Sequence, residues 1–282
     1  MKAAIQVAPQ ASGIDLANWN WKVVRTFVQE RFGLRLSRSS CLNYLHRLGF
    51  VVKRPKKHFL KADAQQRDAF VAKYAALLEE ARQVGAKIFF ADEAHFRADG
   101  DLRRKWVLKG QLSLVDSTSP RWGEKASYYS AVCLETGEVE VMELAGNSNA
   151  ETSAAFLDQL RAGQSGRLMV IWDNSPAHGG EALRAFLSIP KLDLQLVRLP
   201  AYSPDFNADE AIWDWAREEV TANSCLGTRV KVQEKLGTFF RGLVERTGEV
   251  KHRCRTVLQA RVDALFKTST HESDVHPILV SV

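Results

Sequence analysis

The sequence predicts a two-part molecule, a small basic all-α domain followed by an α/β domain built on a mixed sheet. Three observations carry that prediction. Residues 1–61 hold 12 Lys/Arg against 2 Asp/Glu, while the rest of the chain holds 27 against 31, within an overall net charge of +6. Beyond residue 85, short apolar runs of strand length alternate with longer amphipathic segments of helix length. Two of those runs, KIFFA and LMVIW, stop at an acid: Asp92 and Asp173.

In the N-terminal part, WNWKVVRTFVQERFG places Trp21, Val24, Phe27, Val28 and Phe32 near helical spacing and ends at Gly33. Ser37 is a plausible N-cap for a second helix, RSSCLNYLHRLGF, with Leu42, Leu45 and Leu48 as its apolar face and Gly49 at its end. Two helices with a short link, the second presenting Arg38, Ser39, Ser40, Asn43 and Arg47, fit a helix-turn-helix. The basic run KRPKKH, with Lys53, Arg54, Lys56 and Lys57, lies where a wing or minor-groove arm would follow. An excess of positive charge on such a module points to a polyanion, double-stranded DNA above all. A basic helical hairpin with a solvated face is the plainer alternative.

Residues 62–84 read as one long connecting helix carrying Phe70, Tyr74, Leu77 and Leu78. AKIFFADE is a buried strand, ASYYSAVCLETGEVEVMELAG a hairpin turning at Thr136-Gly137, NAETSAAFLDQLRA a helix and GRLMVIW a second buried strand. GEALRAFLS is helical, DLQLVRLP a strand, and the segment from Thr228 to Phe266 helical, with a frayed polar tail expected after Lys267. The expected division is 1–60 for DNA binding, 61–84 as connector, 85–222 as the α/β domain and 223–282 as C-terminal helices and tail.

Several classes fall away on composition. No stretch approaches the roughly 20 apolar residues of a membrane span, and MKAAIQVAPQ is too short and polar for a secretory signal. The four cysteines, Cys41, Cys133, Cys225 and Cys254, form no CxxC pair. That pattern suits a reducing compartment and offers neither a zinc site nor a disulfide framework. A cytoplasmic, nucleoid-associated protein is expected.

Strand ends in α/β sheets are where functional side chains emerge, because a carboxylate there leaves the apolar layer while the sheet holds its backbone. A third acid comes from LPAYSPDFNADEAIWDWAREE, a turn-rich stretch running into a helix with Trp213 and Trp215 as core anchors. Asn207 is expected to cap that helix, and Glu210 stands three residues later at capping-box spacing. Asp209 has favourable placement near the helix N-terminus and nothing more. Glu93, beside Asp92, points to the opposite side of the strand and ranks below it. Arg97, Arg103, Arg104, Lys105 and Lys109 form a second basic run, read either as phosphate contacts or as a solvated hairpin.

ADEAHF, VIWDNSPAH and LPAYSPDFNADEAIW together resemble the three acid-bearing motifs of the DDE transposases of the mariner-like superfamily, in its bacterial insertion-sequence branch. The resemblance implies a ribonuclease H-like catalytic domain and a catalytic, metal-binding triad of Asp92, Asp173 and Glu210. Thirty-six residues separate the last two, close to the family's usual spacing. It also implies Mg²⁺ or Mn²⁺, two ions per site, cleavage of DNA at element ends, strand transfer into a TA-type target, and a homo-oligomer on DNA. Two divalent ions suit in-line phosphodiester displacement, and hard cations need several carboxylates. Asn174, His178, Tyr202 and Ser203 are expected to position substrate, with His178 placed either on a phosphate, on Asp173, or as a structural cap.

The sequence departs from the family pattern at Ala201, Phe206 and Ala208, and it offers one helix-turn-helix unit where a pair is usual. Two other readings share these features: a ribonuclease H-like nuclease without strand transfer, and a DNA-binding remnant that no longer cuts.

Overall fold

The computed structural model describes residues 1–53, 59–118 and 124–273. The chain divides into two units, Met1–His58 and Phe59–Val282.

The first unit contains helices α1 (Lys2–Ile5), α2 (Trp21–Phe32) and α3 (Arg38–Arg47). Asn20 caps α2 through its side chain, and Gly33, at φ +67°, ends it in the left-handed conformation that glycine adopts freely. Ser37 caps α3 by accepting from the Ser40 amide at 3.1 Å. The small core gathers Ile5, Val24, Val28 and Cys41, with Leu45 packed against it. Cys41 therefore takes the centre of the face expected of Leu42, Leu45 and Leu48. Helix α1 and its Ile5 were not foreseen, because four residues are too few to show a period.

The second unit opens with α4 (Ala64–Val84), followed by strands β1 (Lys87–Arg97), β2 (Lys125–Cys133) and β3 (Val139–Leu144). Next come α5 (Ala150–Ala162), β4 (Leu168–Trp172), α6 (Glu181–Leu187), β5 (Leu194–Arg198) and α7 (Glu210–Ala216). A π-helical turn, Arg217–Thr221, prolongs α7, and α8 (Arg229–Gly242), α9 (Thr247–Arg253) and α10 (Val257–Ser273) complete the described chain. The five strands form one mixed sheet in the order β3-β2-β1-β4-β5. β2 and β3 run antiparallel to their neighbours, and β1, β4 and β5 run parallel. Gly137, at φ +79°, sits in the β2–β3 turn where a Cβ would meet the Thr247 carbonyl oxygen at 2.4 Å, so the hairpin tip needs glycine on two counts.

Strand alternation sorts the side chains into two cores. Ile88, Phe90, Ala94 and Phe96 of β1 share one face with Phe206, Ile212, Trp213 and Trp215, covered by α4, α7, α8, α9 and α10. Phe89 and Ala91 share the other with Phe156, Leu157, Leu160 and Trp172, covered by α5 and α6. Helices on both faces and a mixed sheet between them define a ribonuclease H-like α/β fold. Among the described residues no helix is long and apolar enough to cross a membrane.

Candidate active site

β1 does not end at Asp92. It pairs with β2 as far as Arg97, whereas its pairing with β4 is lost after Phe90, opposite Ile171. Carrying the β1–β4 register two residues further brings Asp92 level with Asp173, the first residue past β4. The two acids therefore flank the point where the parallel strands part, and the cleft opens there.

β5 supplies the third wall. Beyond Arg198 the chain turns through Tyr202, at φ +57°, and Pro204–Phe206 into α7. The expected cap does not form: α7 starts at Glu210, Asp209 occupies the N-cap position, and no side chain caps the helix. Asn207 instead donates from Nδ2 to the Ala91 carbonyl at 3.0 Å and accepts from the Asp209 amide at 3.2 Å. Its Oδ1 reaches the amide of the N-cap residue Asp209 and not those of the first helical turn. Asn207 thus ties the loop to β1 one residue before Asp92 and sets where Glu210 enters. A cavity of about 450 Å³ results, and Asp92, Asp173, Asn174, Tyr202, Ser203 and Glu210 are among its lining residues. A larger cavity of about 580 Å³, around Tyr74, Lys87 and Thr136, lies near the N-terminal end of β1 and holds no acid cluster.

Electrostatically the cleft is unbalanced. Burial first, then the charges of Glu210, Asp209, Glu93 and Asp173, hold the Asp92 carboxyl well above the usual carboxylate range. Partial desolvation raises Glu210; Arg217 opposes the shift and Asp173 adds to it. Asp209 lies fully buried beneath them, raised by burial and then by Glu210. Its Oδ2 accepts from Ser130, and its Oδ1 has no partner among the described residues. Among those residues neither Asp92 nor Glu210 makes an ion pair. This oxygen-only, under-neutralised donor set fits hard divalent cations.

Asp173 differs. Burial alone would raise its carboxyl, but the His178 hydrogen bond and the Ser175 amide bring it below the usual range. Its Oδ1 accepts from the Ser175 amide at 3.0 Å and lies 3.2 Å from His178 Nε2. His178 is buried, stacks on Trp172 at 4.0 Å between ring centroids, and also meets Glu93 Oε2 at 2.7 Å. Arg198 donates to the carbonyls of Asp173 and His178, binding both ends of the turn.

The remaining expected residues are placed as follows. Asn174 donates to the Leu199 carbonyl at 2.8 Å, and Ser203 is buried. Tyr202 is 48% exposed and lies 6.1 Å from Phe59 between ring centroids. Arg103 pairs with Asp214, and Lys105 donates to the Leu114 carbonyl. On the first unit, Ser39, Asn43 and Arg47 form an exposed stripe at four-residue spacing, beside exposed Arg38 and Lys53. Ser40 is half-buried, its hydroxyl 2.9 Å from that of Ser37. Arg54, Lys56 and Lys57 lie outside the described residues.

A mixed five-stranded sheet whose central parallel strands part between two acids, with a third delivered by a following helix, defines a nuclease-type ribonuclease H-like domain. The sequence matches the family described as DDE superfamily endonuclease over residues 87–233, more than half of the chain, and the chain belongs to that family. Residues 17–74 match the winged helix-turn helix family. No curated protein matches the sequence.

Among solved structures, a Mos1 transposase paired-end complex with left transposon end aligns with a TM-score of 0.59 at 17% identity, over 90% of this chain and 78% of that one. A Mos1 mariner paired-end complex with Mn aligns with a TM-score of 0.58 at 17% identity, over 87% and 75%. The Mos1 strand transfer complex aligns with a TM-score of 0.56 at 17% identity, over 90% and 76%. At such identities the likeness is one of fold.

Sequence reasoning did not assign Glu93, Ser130, Asp209 or Arg198 to this site. Only Arg198 carried a usable signal, a cation closing a buried strand directly before the third motif.

Proposed function

We propose that this DDE-family chain is a transposase of the mariner-like superfamily, in its bacterial insertion-sequence branch, that cuts DNA at element ends and joins the freed ends to target DNA. The observation that supports the reading is that Asp92, Asp173 and Glu210, from three separate elements, are among the residues lining one cleft; among the described residues the ligand atoms lying within 4.8 Å of one another are those of Glu93, Asp173 and His178, on its rear wall. Oxygen donors, two of them on the under-neutralised Asp92 and Glu210, are the chemistry that two Mg²⁺ or Mn²⁺ ions require, and these three residues would hold them. When bound, such ions activate a water and stabilise the leaving oxygen of an in-line displacement.

The chain's own residues do the rest. β1 holds Asp92 on a backbone paired to β2, so the central acid moves least. Asn207 positions the start of α7, and with it Glu210. Tyr202, Asn174 and Ser203 form the lip that would seat the DNA backbone, with His178 behind Asp173. Water attack on the end phosphodiester would break its P–O3′ bond, leaving a 5′-phosphate and a 3′-hydroxyl, and that hydroxyl would attack a phosphodiester of the TA-type target and displace the target strand's own 3′ oxygen.

Residues 1–60 would bind the ends through Arg38, Ser39, Asn43, Arg47 and Lys53, joined by Ser40, Arg54, Lys56 and Lys57. Residues 61–84 would connect to the catalytic domain at 85–222, with residues 223–282 as C-terminal helices and tail, of which 274–282 lie outside the described residues. Joining two ends calls for more than one copy on the DNA, and the substrate places the protein at the nucleoid.

The test is a labelled element-end duplex incubated with Mg²⁺ and either wild-type protein or Asp173→Ala. Metal-dependent cleavage and joining by the wild type alone is the expected result. Equal cutting by the mutant would overturn the triad, cleavage without joining would leave a simple nuclease, and binding without cleavage a remnant.

A further inference from the structure

Glu93 and His178 stand outside the lining of the carboxylate cleft, yet Glu93 bonds His178, and His178 contacts one of the cleft's acids, Asp173. Glu93 follows Asp92 on β1 and so points to the opposite face of the sheet, where α5 and the Pro176–His178 turn lie. There Glu93 Oε2 is 2.7 Å from His178 Nε2, and the same nitrogen is 3.2 Å from Asp173 Oδ1. Because both partners are carboxylates, Nε2 carries the proton; its hydrogen bond goes to Glu93, and Asp173 Oδ1 meets the same N–H as a longer ion-pair contact. The other ring nitrogen, Nδ1, is 3.2 Å from the Ser153 hydroxyl on α5, and the ring lies on Trp172. Each edge of the imidazole thus has a partner and one ring face is covered, which leaves the ring a single orientation.

The consequence falls on Asp173. The Ser175 hydrogen bond and the His178 ion-pair contact both fall on Oδ1, while Asp173 is one of the residues that line the cleft. We propose that Glu93 is a positioning residue for metal binding: by its hydrogen bond it holds the His178 ring against Asp173 Oδ1, which would fix the orientation of the carboxylate that holds the ion. This rests on the reading of Asp173 as a metal ligand. A partner that orients a ligating group in this way typically changes metal affinity by about 10- to 100-fold when removed.

The experiment titrates Mn²⁺ into the DNA-free full chain, read by electron paramagnetic resonance, for wild type, Glu93→Ala, Glu93→Gln and Asp173→Asn, with metal-free melting curves as the folding control. Glu93→Ala should weaken Mn²⁺ binding by about 10- to 100-fold without changing the number of ions bound. Glu93→Gln keeps a carbonyl oxygen to accept from Nε2–H and should restore affinity to within about threefold.

Unchanged Mn²⁺ affinity in Glu93→Ala would overturn the proposal. So would a Glu93→Gln protein that folds but binds one ion fewer, since Glu93 would then be a ligand. Should Glu93→Ala not fold, Glu93→Ser, whose hydroxyl is too short to reach Nε2, takes its place with the same expected loss, and unchanged affinity there overturns the proposal. Asp173→Asn separates the two layers of argument: undiminished Mn²⁺ binding there removes the ligand reading itself. Loss there together with an unaffected Glu93→Ala removes only the inference about Glu93.

Discussion

Two adjacent acids on β1 live in opposite electrostatic settings. Asp92 faces α7, where Asp209 and Glu210 add negative charge to a buried carboxyl and, among the described residues, no cation pairs with it. Glu93 faces the Pro176–His178 turn, where His178 stands between it and Asp173 and Arg198 anchors the same turn. His178 is held above its ordinary pKa: burial alone would lower it, but its bonds to Asp173 and Glu93 outweigh that cost. One side of the strand therefore carries its own counter-charge. The other is left short of positive charge, the setting that the proposed divalent ions require. The difference shows how a single β-strand, by alternation alone, can serve both the working cleft and the frame behind it.

The largest expected effect comes from relieving the Asp92 side. Asp92→Asn should lower end cleavage by about 10³-fold or more while raising metal-free stability by about 1–2 kcal/mol, the trade expected when a strained functional charge is removed. Cleavage assays and denaturant melts check the two halves, and a fall in stability would break the picture of uncompensated charge. Next, Mg²⁺ at about 100 times its dissociation constant should stabilise the wild type by about 2.7 kcal/mol, and Asp92→Asn much less. Chelation should reverse the gain, as read by calorimetry.

On the compensated side, Arg198→Lys loses the planar fork that spans two carbonyls and should lower kcat by about 10-fold with little change in KM. A steady-state comparison decides it. Smallest is the support of the third motif. Arg67 pairs with both carboxylate oxygens of Asp205, at 2.9 and 2.7 Å, and the Arg67 hydrogen bond holds Asp205 below the usual range. With the folded value depressed, the contribution is present above the unfolded carboxylate pKa of about 3.9 and is lost as pH falls below it. Asp205 is about half exposed, so screening limits the effect to about 0.5 kcal/mol. Arg67→Ala should erase that part of the stability difference between about pH 6 and pH 3 in urea melts.

Much of the fold was legible because its signals are local. Ser37 and Gly33 punctuate the first unit, and the β2–β3 hairpin is announced by alternating apolar residues around Thr136-Gly137. The acids at the ends of KIFFA and LMVIW were visible for the same reason. What escaped depends on neighbours distant in sequence. Asn207 has the composition and spacing of a cap, yet the Ala91 carbonyl, 116 residues away, claims its amide. Asp209 reads as a surface acid on a first turn, and only the arrival of Ser130 from β2 explains how it is buried. Glu93 was ranked low on alternation, which is correct for direction; alternation is blind to a histidine that folds back beneath the strand.

The tie between Asn207 and Ala91 also bears on timing. β1 is made early, but its loop partner is translated more than a hundred residues later, and contacts of such sequence separation form late in folding. A chain still on the ribosome, with β1 to β4 assembled, would lack the docked loop and the start of α7. The cleft lined by Asp92, Asp173 and Glu210 would then take shape only once α7 has emerged and packed.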